Sequence, residues 1–225
     1  MKHGQKKYQN IVKDLDLKKV YTIEEAATLI KKVSYTKFDG TVSVQFFLGL
    51  DTRQATQQLR GSIALPNGTG KTRKVLAITG KTEEAKEAGA DFVGGKELIE
   101  KIKAENWFDY DVIVATPEMM GELGKLGKLL GPKGLMPNPK VGTVTPNIGQ
   151  AIQVIKKGSA DYRTDKQGNL HFIAGKVSFE TPALVENIKA IVDLVIKLKP
   201  ATAKGVYVKN AVIAPTMGPS LKISV

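Results

Sequence analysis

Val75-Leu-Ala-Ile-Thr79, Ala90-Asp-Phe-Val93 and Asp111-Val-Ile-Val-Ala115 are three short apolar runs set between stretches of helical spacing. Runs of this length bounded by turn residues read as buried strands. Between the first two, Thr82 to Ala88 reads as a helix with Thr82 as its N-cap. Gly94-Gly95 ends the second strand. Lys96 to Glu105 then reads as another helix, with Leu98, Ile99 and Ile102 at helical spacing. Pro117 follows the third run, in the place that suits the first residue of a helix. Strands alternating with helices predict right-handed βαβ units and a parallel sheet.

The segments on either side are built differently. Thr22-Ile-Glu-Glu25 has the form of a capping box, and Ala26, Leu29, Ile30 and Val33 continue an amphipathic helix. Val42, Val44 and Phe46 alternate, as in a half-buried strand. Thr181-Pro182 opens a second long helix, with Val185, Ile188, Ile191, Val192 and Val195 on one side. Val206, Val208, Val212 and Ile213 suggest further strand with a bend near Asn210. Helices with antiparallel strands predict an α+β domain. The expected fold class is therefore α/β and α+β in two domains. Residues 1–67 plus 157–225 form a discontinuous α+β domain, and residues 68–156 form an inserted α/β domain. Two chain connections between them suit a hinge.

Charge follows the same division. The chain of 225 residues carries 34 Lys and Arg against 22 Asp and Glu, a formal net charge of +12. Residues 68–156 hold 13 basic and 11 acidic residues, whereas the flanks hold 21 and 11. Almost all of the surplus thus sits in the α+β flanks. Such a surplus favours polyanionic partners, nucleic acid first and acidic membrane second. Membrane ranks last because neither long helix has aromatic anchors. No apolar run reaches membrane-spanning length. The longest, Leu184 to Leu198, is interrupted by Glu186, Lys189, Asp193 and Lys197. Cysteine is absent, and Met1 to Asn10 is basic and polar without an apolar core. Both features suit a reducing, cytoplasmic setting.

Catalytic readings find little footing, and the expectation is that the protein is not an enzyme. Asn67-Gly-Thr-Gly-Lys-Thr72 looks like the end of a phosphate loop, but Leu65 stands where the motif needs its first glycine. The stretch reads better as a flexible basic linker. His3 and His171 are the two histidines, and neither has a metal-ligand partner at suitable spacing. Gly94-Gly95 is not a dinucleotide fingerprint. No cofactor and no metal site are expected.

Four segments suit RNA contact instead. Gly124 to Lys140 mixes Gly and Pro with Lys125, Lys128, Lys133 and Lys140, which suits either an ordered loop that presents cations to phosphate or a structural loop that covers the α/β sheet. Tyr35-Thr-Lys-Phe-Asp39 offers Lys37 to phosphate and Phe38 to a ribose or base. Core packing is the ordinary fate of such a Phe. Pro215-Thr-Met-Gly-Pro-Ser220 offers the Thr216 and Ser220 hydroxyls to a 2′-OH, an apolar Met217 and a close approach at Gly218. Tyr162 to Gly168 reads as a hairpin with Arg163 and Lys166 near its tip, and taken alone it is an ordinary exposed hairpin.

Taken together, these motifs resemble the large-subunit ribosomal protein L-one family. The resemblance rests above all on Leu130-Gly-Pro-Lys-Gly-Leu-Met-Pro-Asn-Pro-Lys140. Thr36-Lys-Phe-Asp39, Arg60-Gly61, Ala90-Asp-Phe-Val-Gly-Gly95, Tyr162-Arg-Thr-Asp-Lys166, Gly175-Lys-Val177 and Thr216-Met-Gly-Pro-Ser220 also match. The bacterial form fits best. The resemblance implies a Rossmann-like insert in a first domain built from both chain ends. It implies binding to folded large-subunit rRNA at the mobile stalk beside the exit site, and a part in the release of deacylated tRNA. It also implies translational repression through the protein's own operon mRNA, by a chain that is monomeric when free. The implied RNA contacts are Lys37, Phe38, Arg163, Asp165, Lys166, Thr216, Met217 and Gly218, to which the hydroxyl of Ser220 is added from the residues themselves. Thr52 and Gly40 depart from the family pattern at the two ends of the first strand.

Overall fold

The computed structural model describes residues 3–13, 15–80 and 82–225, with side chains from Lys7 onward. Its elements run α1 (His3–Lys13), β1 (Val20–Tyr21), α2 (Ile23–Val33), β2 (Thr41–Leu48), β3 (Arg60–Ala64), β4 (Val75–Ile78), α3 (Thr82–Glu87), β5 (Phe92–Gly94) and α4 (Lys96–Glu105). They continue with β6 (Val112–Ala115), α5 (Met120–Lys125), α6 (Gly127–Leu130), α7 (Ile148–Lys156), β7 (Ser159–Arg163), β8 (Asn169–Lys176), α8 (Thr181–Lys197), β9 (Val208–Pro215) and β10 (Leu221–Ile223). The class is mixed α and β. Two compact units emerge, Met1–Gly70 with Ala160–Val225, and Lys71–Ser159. The crossings fall three residues beyond the expected boundaries after residues 67 and 156.

In the first unit, a five-stranded sheet has the order β1-β10-β9-β2-β8. β1 pairs parallel to β10, and the remaining neighbours are antiparallel. One face is covered by α2 and α8. The capping box at Thr22 forms as its sequence predicts, with Thr22 Oγ1 accepting from the Glu25 amide and Glu25 returning a bond to the Thr22 amide. α2 then buries Ala26, Ala27, Ile30 and Val33. α8 buries Ile188, Ile191, Val192 and Val195. Phe46 and Phe172 meet edge to face at 5.9 Å within this core. β3 and β7 form a separate two-stranded sheet.

In the second unit the strands are parallel in the order β5-β4-β6, with the first strand in the middle. β4 is buried along its whole length, as a run without alternation requires. Val75, Ala77 and Val114 pack with Ala85 of α3 and Ile148, Ile152 and Ile155 of α7. Leu76, Ile78 and Ile113 pack with Ile99 and Ile102 of α4 and with Leu123, Leu126 and Leu130. Helices therefore cover both faces.

Several expectations need correction. Thr82 is the first residue of α3, and the cap position before it lies outside the described residues. The Gly124–Lys140 segment is not a loop throughout. Leu123, Leu126 and Leu130 recur at helical spacing and are buried, so α5 and α6 form first and irregular chain begins near Gly131. The strands flanking Arg163–Asn169 are not a hairpin, because β7 pairs with β3 and β8 with β2. The stretch after Asn67 is not free at its start. The buried Asn187 side chain accepts from the Asn67 amide at 3.1 Å and donates to the Gly68 and Ala174 carbonyls at 3.0 and 2.7 Å.

Candidate nucleic-acid interface

One end of the five-stranded sheet gathers residues that are far apart in the chain. β2 begins there at Thr41, β8 ends at Lys176 and β9 ends at Pro215. The Thr216 hydroxyl accepts from the Thr41 amide at 2.9 Å and donates to the Thr41 carbonyl at 3.1 Å. It fastens the loop to β2 and retains one lone pair. Thr216 thus positions the loop through both polar groups of Thr41. Tyr35 donates its hydroxyl to the Met217 carbonyl at 2.6 Å, which ties the chain after α2 to the same loop.

This scaffold presents Met217 and Phe38. Met217 has φ 63° and is 66% exposed, and Phe38 is 58% exposed. Core packing of Phe38 is thereby excluded. Lys37 is exposed beside it, and Ser220 is exposed at the far side of the loop. A Cβ at Gly218 would stand 2.5 Å from Pro215 Cγ, so the tight turn needs glycine. Gly40 is buried, and a Cβ there would make ordinary contact with Thr36, Thr216 and Val177. Asp39 accepts from the Ser178 amide and hydroxyl at 3.1 and 2.8 Å, and Lys176 Nζ donates to the Asp39 carbonyl at 3.3 Å.

Arg163, Asp165 and Lys166 lie elsewhere. They sit before β8, whose Asn169 pairs with Phe47 near the end of β2. Eight strand residues separate this end from the Thr216 loop, a distance of about 23 Å at the usual rise per residue. Asp165 builds the turn. Its Oδ1 accepts from the Gln167 and Asn169 amides, both at 2.8 Å, and its Oδ2 accepts from Asn169 Nδ2 at 2.8 Å. Burial works against its ionisation. The bonds from Asn169 and Gln167, and a smaller attraction to His171, nevertheless hold its carboxyl below the ordinary range.

The two ends are joined by the open face of the sheet. Along β2 the inward residues Val42, Val44, Phe46 and Leu48 are buried, and Thr41, Ser43, Gln45 and Phe47 point outward. Register places His171 and Val212 beside Gln45, and Lys222 beside Val212. This row of imidazole, amide and ammonium groups is missed by motif reading. Alternation reveals which β2 residues face outward, but their neighbours come from strands more than 100 residues away. Tyr35, Lys176 and Ser178 are missed for the same reason.

Lys125, Lys128, Lys133 and Lys140 belong to the second unit and are all exposed. Lys133 Nζ lies 4.2 Å from the Phe108 ring centroid. Among the described residues no group of acids and histidines could hold a metal ion, and no helix is long and apolar enough to cross a membrane.

The sheet thus has one face covered by helices and one open, with exposed cations and apolar side chains at its ends. The model of the ribosomal protein L1p/L10e family matches residues 30–219, and the chain belongs to that family of ribosomal proteins. It is 54% identical over 219 residues to the large ribosomal subunit protein uL1 of Mycoplasma capricolum, covering 97% of each chain. It is 56% identical over 212 residues to the protein of the same name from Mesoplasma florum, covering 94% of this chain and 93% of that one.

Proposed function

We propose that this protein binds a folded element of large-subunit rRNA through its first unit, as a cytoplasmic component of the large ribosomal subunit and not as an enzyme. The observation that carries this reading is the joint presentation of Lys37, Phe38, Met217 and Ser220 on a loop pair fixed by Thr216 and Tyr35. RNA duplexes and loops are recognised largely by shape, 2′-OH and phosphate groups. Phe38 and Met217 offer apolar faces to ribose or an unstacked base. Lys37 offers a charge to phosphate and Ser220 a hydroxyl to a 2′-OH. Gly218 and Thr216 keep the loop in the one shape that presents them.

The two units are read as a discontinuous α+β domain and a Rossmann-like insert, with the α/β insert close to neutral and the flanks strongly basic. The exposed lysines of the insert, Lys125, Lys128, Lys133 and Lys140, would serve a secondary RNA contact. The resemblance to the stalk protein extends the reading to exit-site tRNA release and to repression through the protein's own operon mRNA, by a protein monomeric when free. A mobility-shift titration of the full chain against large-subunit rRNA fragments at two salt concentrations tests the first claim. Tight binding to one folded fragment that survives competitor RNA and is lost in Phe38→Ala supports it. Weak, uniform binding abolished by salt would mean that charge alone is at work. Repression is tested by adding the protein to a translation reaction programmed with its operon mRNA, where synthesis should fall and should recover on adding the rRNA fragment.

A further inference from the structure

At the far end of β2 from the Thr216 loop, three separate stretches of chain surround an open cleft of about 490 Å³. Arg53, Lys166, Lys204 and Lys209 line it against one acid, Asp51. The Asp51 carboxylate accepts from the Arg53 amide at 3.1 Å and so shapes its own turn. None of the four cations forms an ion pair with a described residue.

The walls are held firmly. Gly49 donates to the Tyr207 carbonyl at 2.7 Å, and a Cβ at Gly49 would overlap the Val206 carbonyl oxygen. Thr52 donates its hydroxyl to the Lys166 carbonyl at 2.6 Å. The buried Gln57 side chain accepts from the Asp51 amide at 2.8 Å. β9 carries an irregularity here. Phe47 pairs with Asn210 and Leu48 with Val208, which leaves Lys209 as an extra residue. A bulge of this kind re-aims a side chain. The Lys209 ammonium stands 5.0 Å from the centroid of the Phe47 ring, which is 41% exposed at the end of the open face.

Four cations gathered around a single acid leave a net positive charge whose members repel one another, and a polyanion relieves that repulsion. The cleft is open, its charges are spread over three segments, and an exposed aromatic adjoins it. These features suit a run of backbone phosphates better than one enclosed phosphate. We propose that the cleft holds a second stretch of phosphate backbone of the same RNA that the Thr216 loop engages, so that the ligand must span the length of β2. This rests on the RNA-binding reading above.

The test uses the full chain and the rRNA fragment it binds most tightly. Arg53→Gln with Lys204→Gln should lower the slope of log affinity against log salt by about two, roughly one per lost phosphate contact. Preference for that fragment over competitor RNA should stay unchanged. Both side chains are exposed, and a melting temperature equal to that of the wild type checks the fold. Arg53→Lys with Lys204→Arg should keep the wild-type slope. An unchanged slope and affinity in the double glutamine variant, with tight wild-type binding, would overturn the cleft assignment alone. Absence of tight binding by the wild type would overturn the RNA reading itself. Calorimetric titration with inorganic pyrophosphate should give no saturable heat. Saturable heat lost in the glutamine variant would assign the cleft to a small phosphate ligand instead.

Discussion

Met217 adopts the left-handed conformation that side chains other than glycine rarely take, at φ 63°. For an ordinary residue this costs roughly 1 to 2 kcal/mol, and it is maintained here by the bond from Tyr35 and by the turn at Gly218. Such strain tends to persist where a ligand is met. Met217→Gly should therefore stabilise the fold by about 1 kcal/mol while weakening RNA binding, because the apolar contact goes with the strain. A thermal melt and a binding titration on one preparation check both signs. Reduced stability, or unchanged affinity, would count against the role given to Met217. Thr216→Val removes a hydroxyl that bonds both polar groups of Thr41. RNA binding should weaken by roughly 1 to 3 kcal/mol, the range for a lost, partly buried partner. Thr216→Ser should restore it.

Among the elements, α8 does more than cover the sheet. Asn187 sits on its buried side at 0% exposure and satisfies three backbone groups. Asn187→Leu should cost roughly 2 to 4 kcal/mol, since those groups lose their partner away from water. Urea denaturation measures this. Asp91, at the head of β5, accepts from the Val75 amide at 2.9 Å, and Lys156 of α7 stands 3.4 Å away. The amide bond first, and Lys156 after the opposing effect of burial, hold its carboxyl below the ordinary value of 3.8. A lowered folded value means a contribution that is present above 3.8 and lost as pH falls through the folded value. Asp91→Asn should thus be less stable than the wild type near neutral pH and should lose less on acidification. Urea midpoints at about pH 7 and about pH 3 would show it. The elements themselves are legible in the sequence where one local rule governs them. The Thr22 capping box and the apolar runs at Val75 and Val112 are cases in point, because capping and burial act within a few residues. What sequence does not disclose is pairing. Nothing near Arg163 signals that β7 leaves its neighbour for β3, and nothing near Phe38 signals that Thr216 will be adjacent. For that reason the residue types of the candidate interface are nominated by the sequence, but their separation into two groups about 23 Å apart is not.

On the scale of the whole chain, each unit carries its own apolar core. Independent cores break all-or-none behaviour. Calorimetry should give a van't Hoff enthalpy below the calorimetric one, and tryptophan emission, which comes from Trp107 alone, should follow only the second unit. One coincident transition by emission and by far-ultraviolet dichroism would refute this. The strand order β1-β10-β9-β2-β8 has a further consequence, for biosynthesis. Both partners of β2 are translated after the whole second unit has been made. A nascent chain therefore carries Val42, Val44, Phe46 and Leu48 with no sheet to join, while the second unit can already close around β4. The first unit is begun first and completed last, and until its final segment emerges β2 is a bare edge open to chaperones or to a neighbouring nascent chain.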